Sequence, residues 1–372
     1  MPHSRKQVRK VGAPRIVIIL LSIITGLLLL LFTAANPRGT LLGLALSSAA
    51  MLVVLFAYLR LDRWEPEPRR LLQLAFLWGA SVAVLLAVGL EAFGESVAAA
   101  RPLVSKSFDA AAIQAPFIEE AAKGLFLLVM MTGRRRRQLD SLTDCMVYAG
   151  VTAVGFAWME DIVYIAPADS PASLATVAVA RLVFGPFAHP LFTTMTGIGV
   201  FFALRRSGVG GKAFAIGLGY LAAVSMHALW NASLTVGGGQ YFLAVYLFWM
   251  VPVFVLMVVL AVLSRRQEQR RVAARLPGMV MAGLIAPDEA AWLGSLRTRR
   301  RAARAAKRAG GRVAGRHVAK FGTATVELAF AQDRLERASG DGEALELRNE
   351  DARDLIAARS AAAGWVTDYR RR

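Results

Sequence analysis

Ala115-Pro-Phe-Ile-Glu119-Glu120-Ala-Ala-Lys123-Gly-Leu-Phe-Leu-Leu-Val-Met-Met131 is an apolar run that carries two adjacent carboxylates and an ammonium in its first turns. It predicts one long helix set in a membrane. A charged side chain at the centre of a membrane helix costs ~2.5–3.5 kcal/mol even on the mildest scale, so it needs a partner and usually a task. Pro116 fits a first helical turn, where its missing backbone N–H costs nothing. Glu119 and Lys123 are spaced i, i+4 with the acid first, so they share a face and can neutralise each other. Glu120 points about 100° away around the helix. Two readings arise from this stretch, a structural ion pair or a functional site, and the remainder of the chain separates them.

The 372 residues are 56% apolar, and runs of helix-spanning length recur along the first 263 positions. Each is close to the ~20 residues needed to cross ~30 Å of hydrocarbon. The fold class is therefore all-α, a polytopic membrane bundle of about eight transmembrane helices over residues 1–263. A helical cytoplasmic tail follows over residues 264–372. The expected spans lie near Ile16–Ala35, Leu41–Leu61, Leu71–Phe93, Ala115–Met131, Leu142–Ile165, Ala172–Leu204, Ala213–Thr235 and Tyr241–Leu263. The sixth is overlong and broken at Gly185-Pro186 and Pro190, which predicts a tilted or interfacial helix leading into the true span. Arginine and lysine cluster at Arg60–Arg70, Arg134–Arg137, Arg205-Arg206 and Arg265-Arg266, and the intervening loops are poor in them. That alternation places both termini in the cytoplasm. The loops at Gly94–Ala112, Ala166–Pro171 and Gly237–Gln240 then lie outside.

A net charge of +18 raises the question of nucleic acid. The cations fall at span ends and in the tail, where orientation and anionic lipid explain them, and no nucleic-acid recognition fold is visible. The tail alternates basic and apolar residues at helical spacing over Arg297–Arg316 and Glu327–Arg337, the pattern of a surface that lies on anionic lipid. Gly278–Leu296 reads as a short helical hairpin, and Gly310-Gly311 and Ser339-Gly-Asp-Gly342 read as linkers. The single cysteine, Cys145, excludes an intrachain disulfide and reads as a small buried residue. His3 and His317 read as surface residues.

At ~1.5 Å of rise per residue, the polar groups inside the spans can be placed by depth. Glu119 and Glu120, Glu160 and Asp161, His189, and His227 with Asn231 come from four helices, yet all fall in the outer third of the membrane. Independent ion pairs have no reason to share a depth, so the functional reading prevails. Phe156, Glu160 and Tyr164 form one stripe, His189, Thr193 and Thr196 another, and His227 and Asn231 a third. Two imidazoles, His189 and His227, with a carboxylate, Glu160, can supply the ligands of a divalent metal, zinc being the natural choice. Glu119 or Glu120 can then take a proton from water and pass it to a leaving amine, while Asn231 holds a carbonyl oxygen or orients His227. The same groups can also activate water without a metal.

Glu119-Glu120-Ala-Ala-Lys123, Phe156-x-x-x-Glu160-Asp161-x-x-Tyr164, His189 and His227-Ala-Leu-Trp-Asn231, in that order, resemble the PrsW family of intramembrane proteases. The loop Asp62-Arg-Trp-Glu-Pro-Glu-Pro68 also resembles a family feature, and the likeness covers roughly residues 55–235. The resemblance implies an intramembrane endopeptidase, within a larger group of CAAX-processing and bacteriocin-processing enzymes, whose glutamate pair and histidines are catalytic or metal-binding. Relatives outside PrsW carry histidine where this chain has Glu160. The implied substrate is a membrane-anchored protein such as an anti-sigma factor, cut near the extracytoplasmic face of a bacterial-type plasma membrane. Two other classes stay open at this point. A proton-coupled transporter uses similar acids and histidines but predicts inverted repeats, and a non-catalytic scaffold could hold a peptide or prenyl group.

Overall fold

The computed structural model describes residues 14–64, 66–99, 110–235, 239–337 and 342–370. These fall into two compact units, one formed by Val11–Asp62 with Glu67–Ala261 and the other by Arg63–Pro66 with Val262–Arg372. Helix is the regular structure of the described residues, which contain no strand. Seven helical segments are long and apolar enough to cross a membrane. The helix bearing Glu119 and Glu120 is not among them, so the seven compare with the eight or so expected. The expected membrane bundle is the fold observed.

In chain order, α1 is Arg15–Ala35 and α2 is Pro37–Leu61. Next, α3 (Arg69–Leu77) passes through a π-helical turn, Trp78–Ala83, into α4 (Val84–Ala99). A second π turn, Ala110–Gln114, leads into α5, Ala115–Met130. Pro116 therefore does not begin a helix after a loop. The turn before it stays helical but widens, which accommodates a ring with no N–H to give. Then come α6 (Leu142–Ile165), α7 (Pro171–Ala178) with a π turn at Val179–Phe184, α8 (Ala188–Ala203) and α9 (Val209–Thr235). The overlong sixth segment breaks at Gly185–Phe187, while Pro190 sits in the first turn of α8, where it is tolerated. After α10 (Gly239–Val245) and a π turn at Tyr246–Met250, α11 runs over Val251–Met281.

Helix α6 is the centre of the membrane unit: 89% of its most apolar window is buried, against 11% for α1. Between membrane helices there is little hydrophobic drive, so close packing of small residues does the joining. Its sequence supplies them, Ala149, Gly150, Ala153, Gly155 and Ala157 all being buried. A methyl group on Gly155 would overlap the carbonyl oxygen of Phe76, and one on Gly79 would overlap that of Thr152. Cys145 is buried in this core. α1, by contrast, turns Ile16, Ile19, Leu20, Ile23, Leu27, Leu30 and Leu31 outward, as a lipid-facing helix must.

The charged loop before α3 is partly built into each unit. In the membrane unit, the Glu67 N–H donates to Asp62 Oδ2 at 2.7 Å, and Tyr148 Oη donates to Glu67 Oε2 at 2.7 Å. Both acids are buried. Trp64 belongs to the other unit, in whose apolar core it packs with Val272, Trp292 and Phe321. Glu65 lies outside the described residues, as do His3, most of the loop following α4, Gly237 and the linker at 339–341.

The second unit contains α12 (Pro287–Leu293), α13 (Leu296–Arg337) and α14 (Gly342–Arg370). The expected hairpin near Gly278–Leu296 is a turn through Gly283, at φ +69°, followed by α12. α13 is broken at Gly310-Gly311, and Gly311 has φ +76°. Arg275 pairs with Glu336 and, at 3.2 Å, with Asp333; Arg359 Nε pairs with Glu289 Oε2 at 2.9 Å.

Two substitutions test the packing of α6. Gly155→Val forces a branched side chain against a backbone carbonyl, and overpacking of this kind costs ~1–3 kcal/mol. Denaturant unfolding of the micelle-solubilised protein should register that loss, whereas Gly89→Ala, whose added methyl meets nothing within 4 Å, should leave the midpoint in place.

Candidate active site

Helix α5 brings its charges to the place where α6, α8 and α9 converge. Lys123 is fully buried, and its Nζ lies 2.6 Å from Glu120 Oε1, 3.3 Å from Glu119 Oε2 and 3.1 Å from His189 Nδ1. The Phe156 ring on α6 covers the ammonium at 4.2 Å from its centroid. The i, i+4 pair expected from spacing is thus present, and a closer i, i+3 contact to Glu120 joins it. In a low-dielectric interior such charges persist only if each lone pair and proton has a partner.

Glu120 is wholly enclosed. Its Oε2 accepts from Thr193 Oγ1 of α8 at 2.8 Å, and its Oε1 lies 3.1 Å from His227 Nδ1 of α9. Glu160 of α6 lies 2.7 Å from His189 Nε2 of α8. An ionised carboxylate only accepts, so these two ring nitrogens are the N–H ends. The lone pairs therefore sit on His189 Nδ1 and His227 Nε2. Each of those atoms is 3.9 Å from Glu119 Oε2.

The geometry assembles three electron-pair donors. Glu119, His189 and His227, all buried, each offer one ligand atom within 4.8 Å of the others. Two N or O donors on one ion at ~2.0–2.2 Å can be no more than about 4.4 Å apart, so small adjustments close the set. Behind the imidazoles stand Glu120 and Glu160, the carboxylate–histidine backing that metal-binding histidines ordinarily have. The donor set fits a divalent metal. Glu160 reaches one imidazole from its outer side rather than joining the three inward-facing donors.

Arg181, on the π turn after α7, bridges Glu160 Oε1 and Asp161 Oδ1 at 3.1 Å each and stacks 3.6 Å from the Tyr164 ring centroid. It was not among the residues picked out from the sequence. The signal was available: Arg181 is the one ionisable side chain besides His189 between Pro171 and Leu204, and an intramembrane cation calls for an acid. Thr193 was placed on the His189 stripe, but its bond to Glu120 depends on how α5 and α8 face each other.

A cavity of about 760 Å³ opens beside this cluster. Val84, Val88, Val163 and Leu234 give it apolar walls, and Glu119, Glu160, Arg181 and Asn231 provide its polar end. Glu91 also lines it, so five carboxyl groups (Glu91, Glu119, Glu120, Glu160, Asp161) adjoin two cations, Lys123 and Arg181. At full ionisation that excess of negative charge favours a bound cation. Asn231, one helical turn beyond His227, lines the cavity. His317 lies in the tail unit, remote in sequence from any of these groups.

Acids and imidazoles gathered at the edge of a cavity inside a helical membrane bundle define an intramembrane hydrolase, provided a transporter can be set aside. The family comparison does so: residues 67–257, just over half of the chain, match the PrsW family of intramembrane metalloproteases. The chain belongs to that family and is a multi-pass membrane enzyme that hydrolyses peptide bonds. No curated protein and no solved structure matches it.

Replacing Arg181 tests the outer end of the cluster. Removing one partner from a buried ion pair costs ~3–5 kcal/mol, and the 22% exposure of this guanidinium should hold the loss below that range. Arg181→Met should lower the unfolding midpoint clearly, with Arg181→Lys, which keeps the charge and loses the fork, falling between it and the wild type.

Proposed function

We propose that this enzyme cuts a membrane-anchored protein, of the kind represented by an anti-sigma factor, with water activated at Glu119. One observation carries the reading: Glu119 alone of the adjacent pair lines the cavity, and His189 Nδ1 and His227 Nε2 each lie 3.9 Å from its Oε2. Glu119, His189 Nδ1 and His227 Nε2 would hold a divalent metal, and one carboxylate with two imidazoles suits zinc. Such an ion, when bound, acidifies water and polarises a carbonyl oxygen.

The chain's own residues supply the remainder. Glu120 and Glu160 fix the ring tautomers by accepting the N–H of His227 and His189. Thr193 and Lys123 hold Glu120 in place, so it positions rather than reacts. Glu160, held by His189 and Arg181, likewise positions, and Glu119, on the cavity wall, is the carboxylate placed to take a proton from the attacking water and return it to the leaving amine. Asn231 offers its amide N–H to the developing oxyanion. The apolar walls receive the side chains flanking the scissile bond.

A second reading has its own observation. The Lys123 ammonium already contacts His189 Nδ1 and Glu119 Oε2, at 3.1 and 3.3 Å. With the ammonium there, Glu119 would activate water without metal. Metal analysis of the purified protein separates the two. On the metal reading, His189→Ala, His227→Ala and Glu119→Gln should each lose metal and at least a hundredfold of cleavage. Glu120→Gln and Glu160→Gln, which remove backing groups, should keep the metal with affinity weakened by roughly 10–100-fold. Full occupancy in both histidine variants, or a wild type that carries no metal and ignores chelators, selects the glutamate-only route.

For orientation, the basic loops favour Gly133–Gln138 and the tail in the cytoplasm, which supports a site toward the outer face of a bacterial-type plasma membrane. Membrane-impermeant thiol labelling should reach Asp169→Cys from outside intact cells and leave Gln138→Cys unmodified, against a background in which Cys145 is buried. The reverse pattern would turn the active-site side inward.

A further inference from the structure

The tail unit contains a site that proteolysis does not use. α13 is two helices folded back on each other at Gly310-Gly311, and the positive φ of Gly311 makes the reversal possible. The arms are antiparallel and close: a Cβ on Gly315 would lie 2.8 Å from Lys307 Cβ, and one on Gly322 would lie 2.8 Å from Arg299 Nε. Residues that are eight and 23 positions apart meet this way only across a hairpin.

Between the arms runs a groove of about 610 Å³, lined by Arg300, Arg304 and Lys307 from one arm and by Arg312 and Arg316 from the other. The first three fall at i, i+4 and i+7 and the last two at i, i+4, so each arm presents one continuous stripe. Ala303, Gly315 and Ala319, all small, complete the lining of this open groove. All five cations are exposed, and no described acidic residue pairs with any of them. Elsewhere in this unit Arg275 and Arg359 are paired with acids.

Facing stripes of like charge repel and lower the stability of the hairpin. An amphipathic helix resting on a flat headgroup layer needs its cations on one outer face, not on two arms directed at each other. Four of the five are arginines, whose planar forks take two oxygens of a phosphate at once. A set of forks on two arms can reach one compact, multiply charged anion from two sides.

We propose that this groove binds a multiply phosphorylated group, held by Arg300, Arg304, Lys307, Arg312 and Arg316. Two sources carry that chemistry, a free polyphosphate compound and a phosphorylated lipid headgroup, and the experiment separates them. The full chain, in nanodiscs of phosphatidylcholine, is titrated with inorganic tripolyphosphate and with inorganic phosphate. In parallel, flotation is measured for the micelle-purified chain with phosphatidylcholine vesicles with and without cardiolipin. Tripolyphosphate binding at least tenfold tighter than monophosphate identifies a free ligand; vesicle binding that needs cardiolipin, with no tripolyphosphate binding, identifies a headgroup. In either case Arg304→Gln/Arg316→Gln should weaken binding at least tenfold. Arg301→Gln/Arg308→Gln, which removes the same charge from exposed positions outside the groove, should change it by less than threefold. Equal losses in the two double variants, or binding of neither probe, would overturn the proposal. Unfolding midpoints of both variants show whether the hairpin is intact, and removal of like charge should leave them at or above the wild type.

Discussion

The membrane unit depends on the compensation of Lys123. A fully buried ammonium is among the costliest groups to place in an apolar bundle, and three partners on two helices share it, Glu119, Glu120 and His189. Each partner has a further contact: Glu120 with Thr193 and His227, and His189 with Glu160, which in turn meets Arg181. The result is one connected polar network crossing α5, α6, α8 and α9. Half-satisfied networks of this kind are worse than an apolar core, so the four helices must keep their spacing for any of the charges to be tolerated. The site and the fold are stabilised by the same contacts.

Such a network needs a rigid frame, and α6 provides it. Its buried small residues bring the helix backbones around it close enough that carbonyl oxygens meet glycines, at Gly155 against Phe76 and at Gly79 against Thr152. Helices that touch backbone to backbone have little freedom to slide. Glu160 and Phe156 thereby stand at fixed heights against His189 and Lys123. The cavity lies on the looser side of this frame, against the α7 segment, whose residues are mostly half-buried or exposed.

The tail unit follows another logic. It is held by an apolar core of ordinary soluble type, in which Trp64 packs with Trp292 and Phe321, and by ion pairs such as Arg359 with Glu289. Trp64 comes from the loop between α2 and α3, so the core of this unit is not built from the tail sequence alone. That explains why a tryptophan stands amid the charges of Asp62–Pro68: Asp62 and Glu67 serve the membrane unit while the indole is buried in the core of the other. The loop's own acids are structural, with Glu67 and Asp62 tied to Tyr148 and to the backbone.

Apolar run length, basic-loop alternation and the rarity of intramembrane charge were enough to read the membrane bundle from sequence and to single out Glu119, Glu120, Glu160, His189, His227 and Asn231 as candidates. Each is a one-dimensional signal, because the cost of a charge in hydrocarbon does not depend on which helix faces which. The partners of each charge were not legible. Spacing along α5 favoured Glu119 as the partner of Lys123; the closer contact is the i, i+3 one to Glu120 on the same helix, and only the approach of α8 brought His189 to the same ammonium. Metal-ligand chemistry suggested Glu160 beside the two histidines, whereas the rotation of α6 and α8 sets it against the N–H side of His189 and leaves Glu119 near His189 Nδ1 and His227 Nε2. Arg181 likewise gained its role only when the chain turned at Ala166–Ser170 and brought the segment after α7 to Glu160 and Asp161. Sequence determined which residues are too costly to be there without a purpose; rotation about each helix axis, fixed by interhelical packing, decided which of them meet.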